Sequence, residues 1–298
     1  MTGQIVVGID GSPSAAAAVE WAADDAMRSG ARLRIVHVWE PWSYDFPFKA
    51  APRSQSSLPA YWTGALRSAV EWVHDHTPGV EVSSALVTGA VSERLTTESE
   101  YADELILGSK GLGGLTGLVL GSVGRSVAGH AEGPVVVVRR SAPTRNGEIV
   151  VGFDGSEASQ AAMEYALRQA RLRGARVQVL YAWSAPPFAP DATAYAGGVR
   201  TAAEEEAREV RRRLDPWQER YPDVRMVGSA VRGHAVPALS DASREADLVV
   251  VGSGAHGAFG RGFTGSVAHG VLHHARCPVA IVRPRRPHPG PPAAATPR

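Results

Sequence analysis

"IVVGIDGS" runs from Ile5 to Ser12, and "IVVGFDGS" runs from Ile149 to Ser156, 144 positions later. Each opens with a short unbroken apolar run and ends in a glycine-containing turn. A run of that length suits a strand covered on both faces, the environment of a parallel sheet. The same offset pairs Glu20 with Glu164, Gly30 with Gly174, Trp39 with Trp183, Pro78 with Pro222, Gly89 with Gly233 and Asp103 with Asp247. Gly121-Ser122 returns as Gly265-Ser266, and no net gap intervenes. A period this long marks a duplicated domain rather than a solenoid repeat. A chain of 298 residues also has room for about two domains. The first is expected over residues 1–141 and the second over 147–283. They meet in the polar, Pro- and Gly-containing stretch "RRSAPTRNGE", Arg139–Glu148. Residues 284–298 are rich in proline and basic residues without apolar periodicity, and read as a disordered tail.

Within each copy, strand and helix signals alternate. In the first, a strand is expected at Ile5–Ile9. Ser12 offers an N-cap, and Pro13 suits the first helical position. Ala15, Ala18, Val19, Ala22 and Ala26 fall on one helical face, and Gly30 sits where a left-handed C-terminal residue belongs. A strand at Leu33–Trp39, a loop at Glu40–Ser57 and a helix at Leu58–His76 follow. Then come a strand at Val80–Val87, a helix near Val91–Glu100, a strand at Glu104–Leu107, a helix from Ser122 and a strand at Val135–Arg139. Short apolar strands alternating with helices specify an α/β fold. The expectation is two tandem doubly wound domains, each a parallel sheet of order 3-2-1-4-5 with right-handed crossovers.

The totals exclude several function classes. Apolar residues make up 44% of the chain, a globular fraction. Net charge is +1, which gives no electrostatic footprint for nucleic acid or an anionic membrane, so neither is expected as a partner. Apolar runs such as "PVVVV" are strand-sized, far short of the roughly 20 residues of a membrane helix. The N-terminus lacks the basic and apolar regions of a signal peptide. A lone cysteine, Cys277, forms no internal disulfide and fits a reducing, cytoplasmic setting.

In a doubly wound sheet, ligands bind beyond the carboxyl ends of the strands where strand order reverses. Here the reversal lies between the first and fourth strands, from which "GIDGS" and "GSKGLGGLTGLVLGS" (Gly108–Ser122) emerge. The second stretch holds 6 glycines and no acid. Glycines admit close backbone approach, and amides at the start of a helix attract anions. Neither GxxxxGK[ST] nor GxGxxG is present, since Lys110 and Thr116 stand in the wrong places. The pattern that fits is G-x2-G-x9-G-[ST], at Gly108, Gly111, Gly121 and Ser122.

That pattern, with the flanks "VVGIDGSP", "ADELILGSKG" and "LGSVGRSVAGHAEGPVVVVR", closely resembles the ATP-binding branch of the universal stress protein family. The likeness covers almost the whole chain, twice, in the tandem layout common in actinobacteria. It implies one ATP per copy. In the first copy Asp10 would lie by the nucleotide, Ile9 would shape the pocket through its backbone, and Val38 would offer backbone polar groups to adenine. Gly108 and Gly111 would line ribose and phosphates, while Gly121, Ser122, Val123 and Gly124 would wrap the terminal phosphates. The second-copy equivalents are Phe153, Asp154, Ala182, Gly252, Ala255, Gly265, Ser266, Val267 and Ala268. Ala255 departs from the pattern and costs about 1 kcal/mol if the position needs positive φ. His256 and Phe259 add bulk, so tighter binding is expected in copy one. Asp10 and Asp154 also suit turn stabilisation, and an acid there can meet Mg²⁺ carried by ATP. The resemblance further implies that the last strands of the two copies pair, making the chain an internal pseudo-dimer. Association of two chains as a homodimer through other faces is expected as well.

The remaining clusters have plainer readings. His269, His273 and His274 read as a polar helix face, having no companion Cys pair or HExxH. "EEEAREVRRR" offers the i,i+4 pairs Glu204–Arg208 and Glu209–Arg213 of a solvated helix. Trp39, Trp42, Tyr44, Phe46 and Phe48, echoed by Trp183, Pro187 and Phe188, form a lid, a subunit contact or core under a long loop. Cys277 reads as a buried structural thiol. Three functions compete: a nucleotide-dependent regulatory module with an unidentified protein partner, a slow ATPase or nucleotidyl-transfer enzyme, and a scaffold without nucleotide. No His, Glu or Arg recurs near the pattern in both copies to position a nucleophile.

Overall fold

The computed structural model describes residues 3–40, 58–111, 121–139, 146–183, 192–254 and 265–284, with the side chains of 58–60, 192–200 and 203 left aside. The first copy runs β1 (Gln4–Gly8), α1 (Pro13–Ser29), β2 (Arg32–Trp39), α2 (Leu58–His76), β3 (Val82–Thr88), α3 (Val91–Glu100), β4 (Glu104–Gly108), α4 (Ser122–His130) and β5 (Val135–Val138). The second runs β6 (Glu148–Gly152), α5 (Glu157–Arg173), β7 (Arg176–Trp183), α6 (Ala192–Arg220), β8 (Met226–Arg232), α7 (Ala235–Ala242), β9 (Leu248–Gly252), α8 (Ser266–His274) and β10 (Val279–Val282).

Local chemistry sets the boundaries. The Ser12 hydroxyl accepts from the Ala15 amide to start α1, Pro13 opens the helix, and Gly30 ends it at φ +68°. Ser156 caps α5 in the same way, and Gly174 closes it at φ +63°. The apolar face expected of α1 is buried at Ala15, Ala18, Val19, Ala22 and Ala26. Strand ends differ from expectation by one or two residues: β1 is Gln4–Gly8, β2 begins at Arg32, β3 is Val82–Thr88, β4 ends at Gly108 and β5 stops at Val138.

Each half has the expected strand order, and the two sheets are one. The full order is β3-β2-β1-β4-β5-β10-β9-β6-β7-β8. Pairing is parallel within each half. The join is antiparallel, with Val137 opposite Val279, Val136 opposite Ala280 and Val135 opposite Ile281. This is the pseudo-dimer pairing expected of the closing strands. It also covers both edges with buried side chains instead of leaving them open. Side chains alternate across the strands, so each face collects its own core. Ile5, Val7, Ile35 and Ile106 meet α1, α2, α5 and α6 on one face. Val6, Val36, Leu105 and Leu107 meet Leu95, Val127, Leu239, Val271 and Leu272 of α3, α4, α7 and α8 on the other. Two arginines at strand ends stitch the halves on this second face: Arg139 donates to the Leu272 carbonyl, and Arg283 to the Gly129 carbonyl at 2.6 Å.

The opposite face carries a polar seam. Asp25 of α1 and Glu104 of β4 are buried to 1% and 4% exposure. From α5, Arg173 Nη2 donates to Asp25 Oδ1 at 2.7 Å, Gln169 Nε2 to Asp25 Oδ2 at 2.9 Å, and Tyr165 Oη to Glu104 Oε2 at 2.7 Å. The Arg173 guanidinium also lies 4.1 Å over the Trp21 ring. Glu104 Oε1 has no hydrogen-bond partner among the described residues. Burial first, and the Asp25 charge second, push the Glu104 carboxyl up to about 8 from its ordinary 4.5.

Between those two values the native chain holds a proton that the unfolded chain releases. Stability from this group is therefore full below pH about 4.5 and is lost as pH rises toward about 8. Calorimetric unfolding across this window is expected to show Tm falling with pH. Glu104→Gln, which mimics the protonated acid, is expected to flatten that slope; an unchanged slope refutes the assignment.

Candidate functional site

The turn after β1 and the segment after β4 meet at the sheet's switch point through a specific set of bonds. Asp10 Oδ1 accepts the Ser12 amide at 3.0 Å, which closes the β1–α1 turn, while Gly11 takes φ +79°. Ser12 Oγ donates to the Lys110 carbonyl at 3.0 Å, and Ser14 Oγ donates to the same carbonyl. The start of α1 is thereby fastened to the chain leaving β4. The Gly121 amide then donates to the Ser109 carbonyl at 2.9 Å, so the chain that departs at Lys110 returns beside its own exit. Residues 112–120, the middle of the glycine stretch, lie outside the described residues.

The glycines here differ in what they permit. A Cβ on Gly108 would lie 2.7 Å from the Ser14 main-chain carbon and 2.8 Å from the Ala15 nitrogen. These are backbone atoms, so only glycine fits beneath the start of α1. Gly111 matters for another reason. It does not occupy the left-handed region, contrary to the condition attached to positive φ, but its Cβ would lie 2.7 Å from Asp10 Oδ2. Its lack of a side chain leaves space at the Asp10 carboxylate. Gly121 is the N-cap of α4 at φ −71°, and α4 begins without a side-chain cap. The first amides of α4, at Ser122, Val123 and Gly124, have no acceptor within their own helix. With the helix dipole, they form a donor cluster at the mouth of the crevice.

Ile9 and Val38 stand at the neighbouring strand ends, as expected. The Ile9 amide is already committed to the Val36 carbonyl at 2.9 Å. The Ile9 carbonyl is taken by His37 Nδ1 at 2.7 Å. A carbonyl only accepts, so Nδ1 carries the proton. Burial pushes the His37 pKa down, which keeps the ring neutral. The ring stacks on Trp62 of α2 with centroids 4.0 Å apart. His37, Trp62 and Ser14 were not singled out in the sequence. The available signals were a polar residue inside the apolar strand "IVHVW" and the second serine of "GSPS".

The second copy repeats the frame and changes its contents. Ser156 N donates to Asp154 Oδ1 at 2.9 Å. The Phe153 amide donates to the Leu180 carbonyl at 3.0 Å and the Gly265 amide to the Ser253 carbonyl at 3.1 Å. A Cβ on Gly252 would lie 2.6 Å from the Ala158 main-chain carbon. At the offset of 144, however, Ser14 becomes Ala158, Lys110 becomes Gly254, His37 becomes Tyr181 and Trp62 becomes Glu206. The hydroxyl clasp of copy one therefore loses Ser14. The Gly254 carbonyl crowds Gly265, where a Cβ would come within 1.9 Å of its oxygen. Arg213 of α6 reaches the turn of this half, its Nη1 3.0 Å from where a Gly155 Cβ would be. Ser266 and Val267 are exposed at the start of α8, Ala268 is buried, and Ala182 is half-buried at the end of β7. Ala255, His256 and Phe259 lie outside the described residues, as do Trp42, Tyr44, Phe46, Phe48, Pro187, Phe188 and the tail from 285.

Three plainer readings also meet the structure. His269 and His273 stand ring to ring on α8 at 4.6 Å. Glu209 pairs with Arg213 at 2.8 Å, but Arg208 Nε turns to the Glu204 main-chain carbonyl at 3.2 Å instead of its carboxylate. Cys277 is buried, and burial pushes its thiol up to about 12. Among the described residues, no helix is long and apolar enough to cross a membrane.

A family model described as "Universal stress protein family" matches residues 1–139 and again 146–283. A universal stress protein of Mycobacterium tuberculosis is 34% identical, covering 94% of this chain and 94% of its own. One from Mycolicibacterium smegmatis is 33% identical over 94% of this chain and 97% of its own. The crystal structure of a universal stress protein from Archaeoglobus fulgidus shares the fold at TM-score 0.68 and 16% identity, over 94% of this chain and 96% of that one.

The glycine geometry predicts unequal tolerance. Gly108→Ala is expected to destabilise by about 1–3 kcal/mol through overpacking. A Cβ on Gly121 meets only ordinary contacts at 3.7 and 3.8 Å, so Gly121→Ala is expected to cost less than about 1 kcal/mol. Its counterpart Gly265→Ala is expected to cost clearly more than Gly121→Ala. Urea unfolding of the three variants measures the order.

Proposed function

The chain belongs to the universal stress protein family, and on that premise we propose that it is an ATP-binding regulatory module of the cytoplasm. The observation that carries this reading is the crevice of the first half. There three glycine positions, two of them closed to any side chain without displacement, bring the Asp10 turn, the exit of β4 and the open amides of α4 together. Such a site offers main-chain donors and a helix dipole to a polyphosphate. In this reading Gly121, Ser122, Val123 and Gly124 grip the terminal phosphates, and Gly108 and Gly111 line the ribose and α-phosphate. Asp10 faces ribose or a magnesium ion carried with the nucleotide. Ile9 and Val38 border the base, where the neutral His37 ring closes the floor. Magnesium, when bound with the nucleotide, neutralises phosphate charge; the residues that fit it are Asp10 and the Ser122 hydroxyl.

The second half, where Phe153, Asp154, Ala182, Gly252, Gly265, Ser266, Val267 and Ala268 are the counterparts and the sequence offset sets Ala255 against Gly111, binds more weakly. It lacks the Ser14 hydroxyl, and the Gly254 carbonyl fills the space beside Gly265 that is open beside Gly121. Occupancy of the first site biases the surface around it through its differential affinity for two conformations of the chain, and a protein partner reads that surface.

Titration calorimetry with Mg·ATP is expected to resolve one tight and one weaker site. Gly111→Ala, which drives a methyl group into the Asp10 carboxylate, is expected to weaken the tight site at least tenfold with little change in stability. Gly265→Ala is read only after its stability has been measured. Equal loss at both sites contradicts the asymmetry. Mass spectrometry of gently purified chain is expected to find ATP, and multiple turnovers per second abolished by Asp10→Ala would replace the module with an enzyme.

A further inference from the structure

Helices α7 and α8 enclose an open cavity of about 410 Å³, a volume within the range of small-molecule sites. Val236, Pro237, Ser240 and Asp241 fall on one face of α7, and Arg244 follows just past its end. The other side is lined by His274, the last residue of α8, and by Arg276. Two contacts fix the walls. At one end Gly270 lets the helices meet, since a Cβ there would lie 2.7 Å from a Val236 methyl carbon. At the other the Arg276 amide donates to Ser243 Oγ at 2.8 Å. Leu239, Val271 and Leu272 anchor both helices in the core beneath. The cavity is therefore preformed.

Its lining divides by chemistry. Val236 and Pro237 supply apolar wall, while Arg244, His274 and Arg276 are exposed at the rim. Asp241 is the one acid of the seven lining residues. It pairs with Arg244 at 3.2 Å, but both side chains are mostly exposed, so the pair holds the guanidinium only weakly. Arg276 makes no ion pair among the described residues. The Ser240 hydroxyl is buried in the wall with no hydrogen-bond partner among the described residues. Arg244 and Arg276 each follow a helix C-terminus, where a cation complements the dipole. That alone does not account for them. At the offset of 144 the first half has Glu100 and Glu132 in these places. The Glu132 amide donates to Ser99 Oγ at 3.1 Å, as the Arg276 amide does to Ser243. The same backbone frame thus stands with acids set against the dipole, and the fold does not demand the arginines.

We propose that the α7–α8 cavity binds a small organic anion, a carboxylate or phosphate monoester head on a short apolar body. The body lies along Val236 and Pro237. The head meets Arg244 and Arg276, whose guanidinium groups match the paired oxygens of either anion. Asp241 gives up Arg244 at little cost, and the Ser240 hydroxyl gains a partner when a ligand oxygen reaches the wall. The site is separate from the second nucleotide crevice. Ser266 opens α8 at the crevice and His274 ends it at the cavity, with about 12 Å of helix between them.

Titration calorimetry of the full chain tests this with hexanoate and hexyl phosphate as probes, in the presence of excess Mg·ATP to occupy the crevices. At least one of these anions is expected to bind once per chain, at least tenfold more tightly than hexylammonium, hexanol or inorganic phosphate, and the better of the two identifies the head. Arg244→Gln/Arg276→Gln is expected to weaken it at least tenfold with Tm unchanged, both side chains being exposed. Arg244→Glu/Arg276→Glu is expected to reverse the preference toward hexylammonium, which a misfolded chain does not do. Several results overturn the proposal: no saturable binding of either anion, an affinity indifferent to both arginine variants, or hexanol binding as tightly as the anions. Inorganic phosphate binding as tightly as hexyl phosphate does so too, because the apolar wall is then unused. A probe that binds only when Mg·ATP is left out occupies a crevice, and the cavity assignment fails. No crevice residue is altered in these variants, so their failure leaves the ATP reading standing, and the reverse also holds.

Discussion

The antiparallel contact between β5 and β10 governs the rest of the molecule. Only three residue pairs are in register there, yet both strands are wholly buried, and both are last in their halves. A five-stranded parallel sheet ending in Val135–Val138 would otherwise expose a flat apolar edge, an invitation to indiscriminate pairing. Pairing the two ends removes both edges together. It also fixes a pseudo-twofold axis through the sheet. From that axis follow the positions of both crevices, the meeting of α1 with α5 and the sharing of one core by α3, α4, α7 and α8. The two arginine stitches, from Arg139 to Leu272 and from Arg283 to Gly129, obey the same axis to within one residue of the offset.

Most of the fold was legible because local and global signals agree. Ser12, Pro13 and Gly30 each specify a helix boundary by a mechanism confined to a few residues. The apolar runs at Ile5, Leu105 and Val135 permit only buried strands. The duplication then checks each assignment against a second copy. What escaped notice depends on contacts between residues far apart in the chain. Ser14 looks like an ordinary first-turn serine until the Lys110 carbonyl arrives, 96 positions away. His37 looks like an interruption of a strand until Ile9 and Trp62 enclose it. The role of Gly111 was legible in kind but not in cause. The constraint is the nearby Asp10 carboxylate rather than a left-handed backbone, and proximity of two loops is not written in either loop.

The two halves have kept the frame and diverged in what it holds. Contacts that shape the backbone recur: the Asp10 and Asp154 turns closed by their carboxylates, the crowding of Gly108 and Gly252 beneath a helix start, and the returns at Gly121 and Gly265. The side-chain contacts particular to the first crevice do not recur. Ser14, His37, Trp62 and Lys110 have the unlike counterparts Ala158, Tyr181, Glu206 and Gly254. Backbone geometry is demanded by the sheet and so is preserved in both copies. Side-chain chemistry belongs to each crevice separately, which is why a shared pattern of glycines does not imply shared affinity.

The seam shows what fusion permits that a dimer of identical chains does not. Positions related by the 144-residue offset meet across the pseudo-axis, as Asp25 meets Gln169 at 2.9 Å. In a symmetric dimer each such position faces its own copy, so an aspartate there would face an aspartate, both buried and both repelled. In one chain the partners are free to differ. Asp25 meets an amide, Trp21 is matched by Tyr165, and Arg173 crosses from a position where the first half has Ser29. Glu104 has Leu248 as its counterpart, so the acid whose pKa burial raises occurs once instead of twice. A buried polar network of this kind is tolerated where unlike partners satisfy most of its groups. Covalent linkage of the halves is the condition that lets them become so.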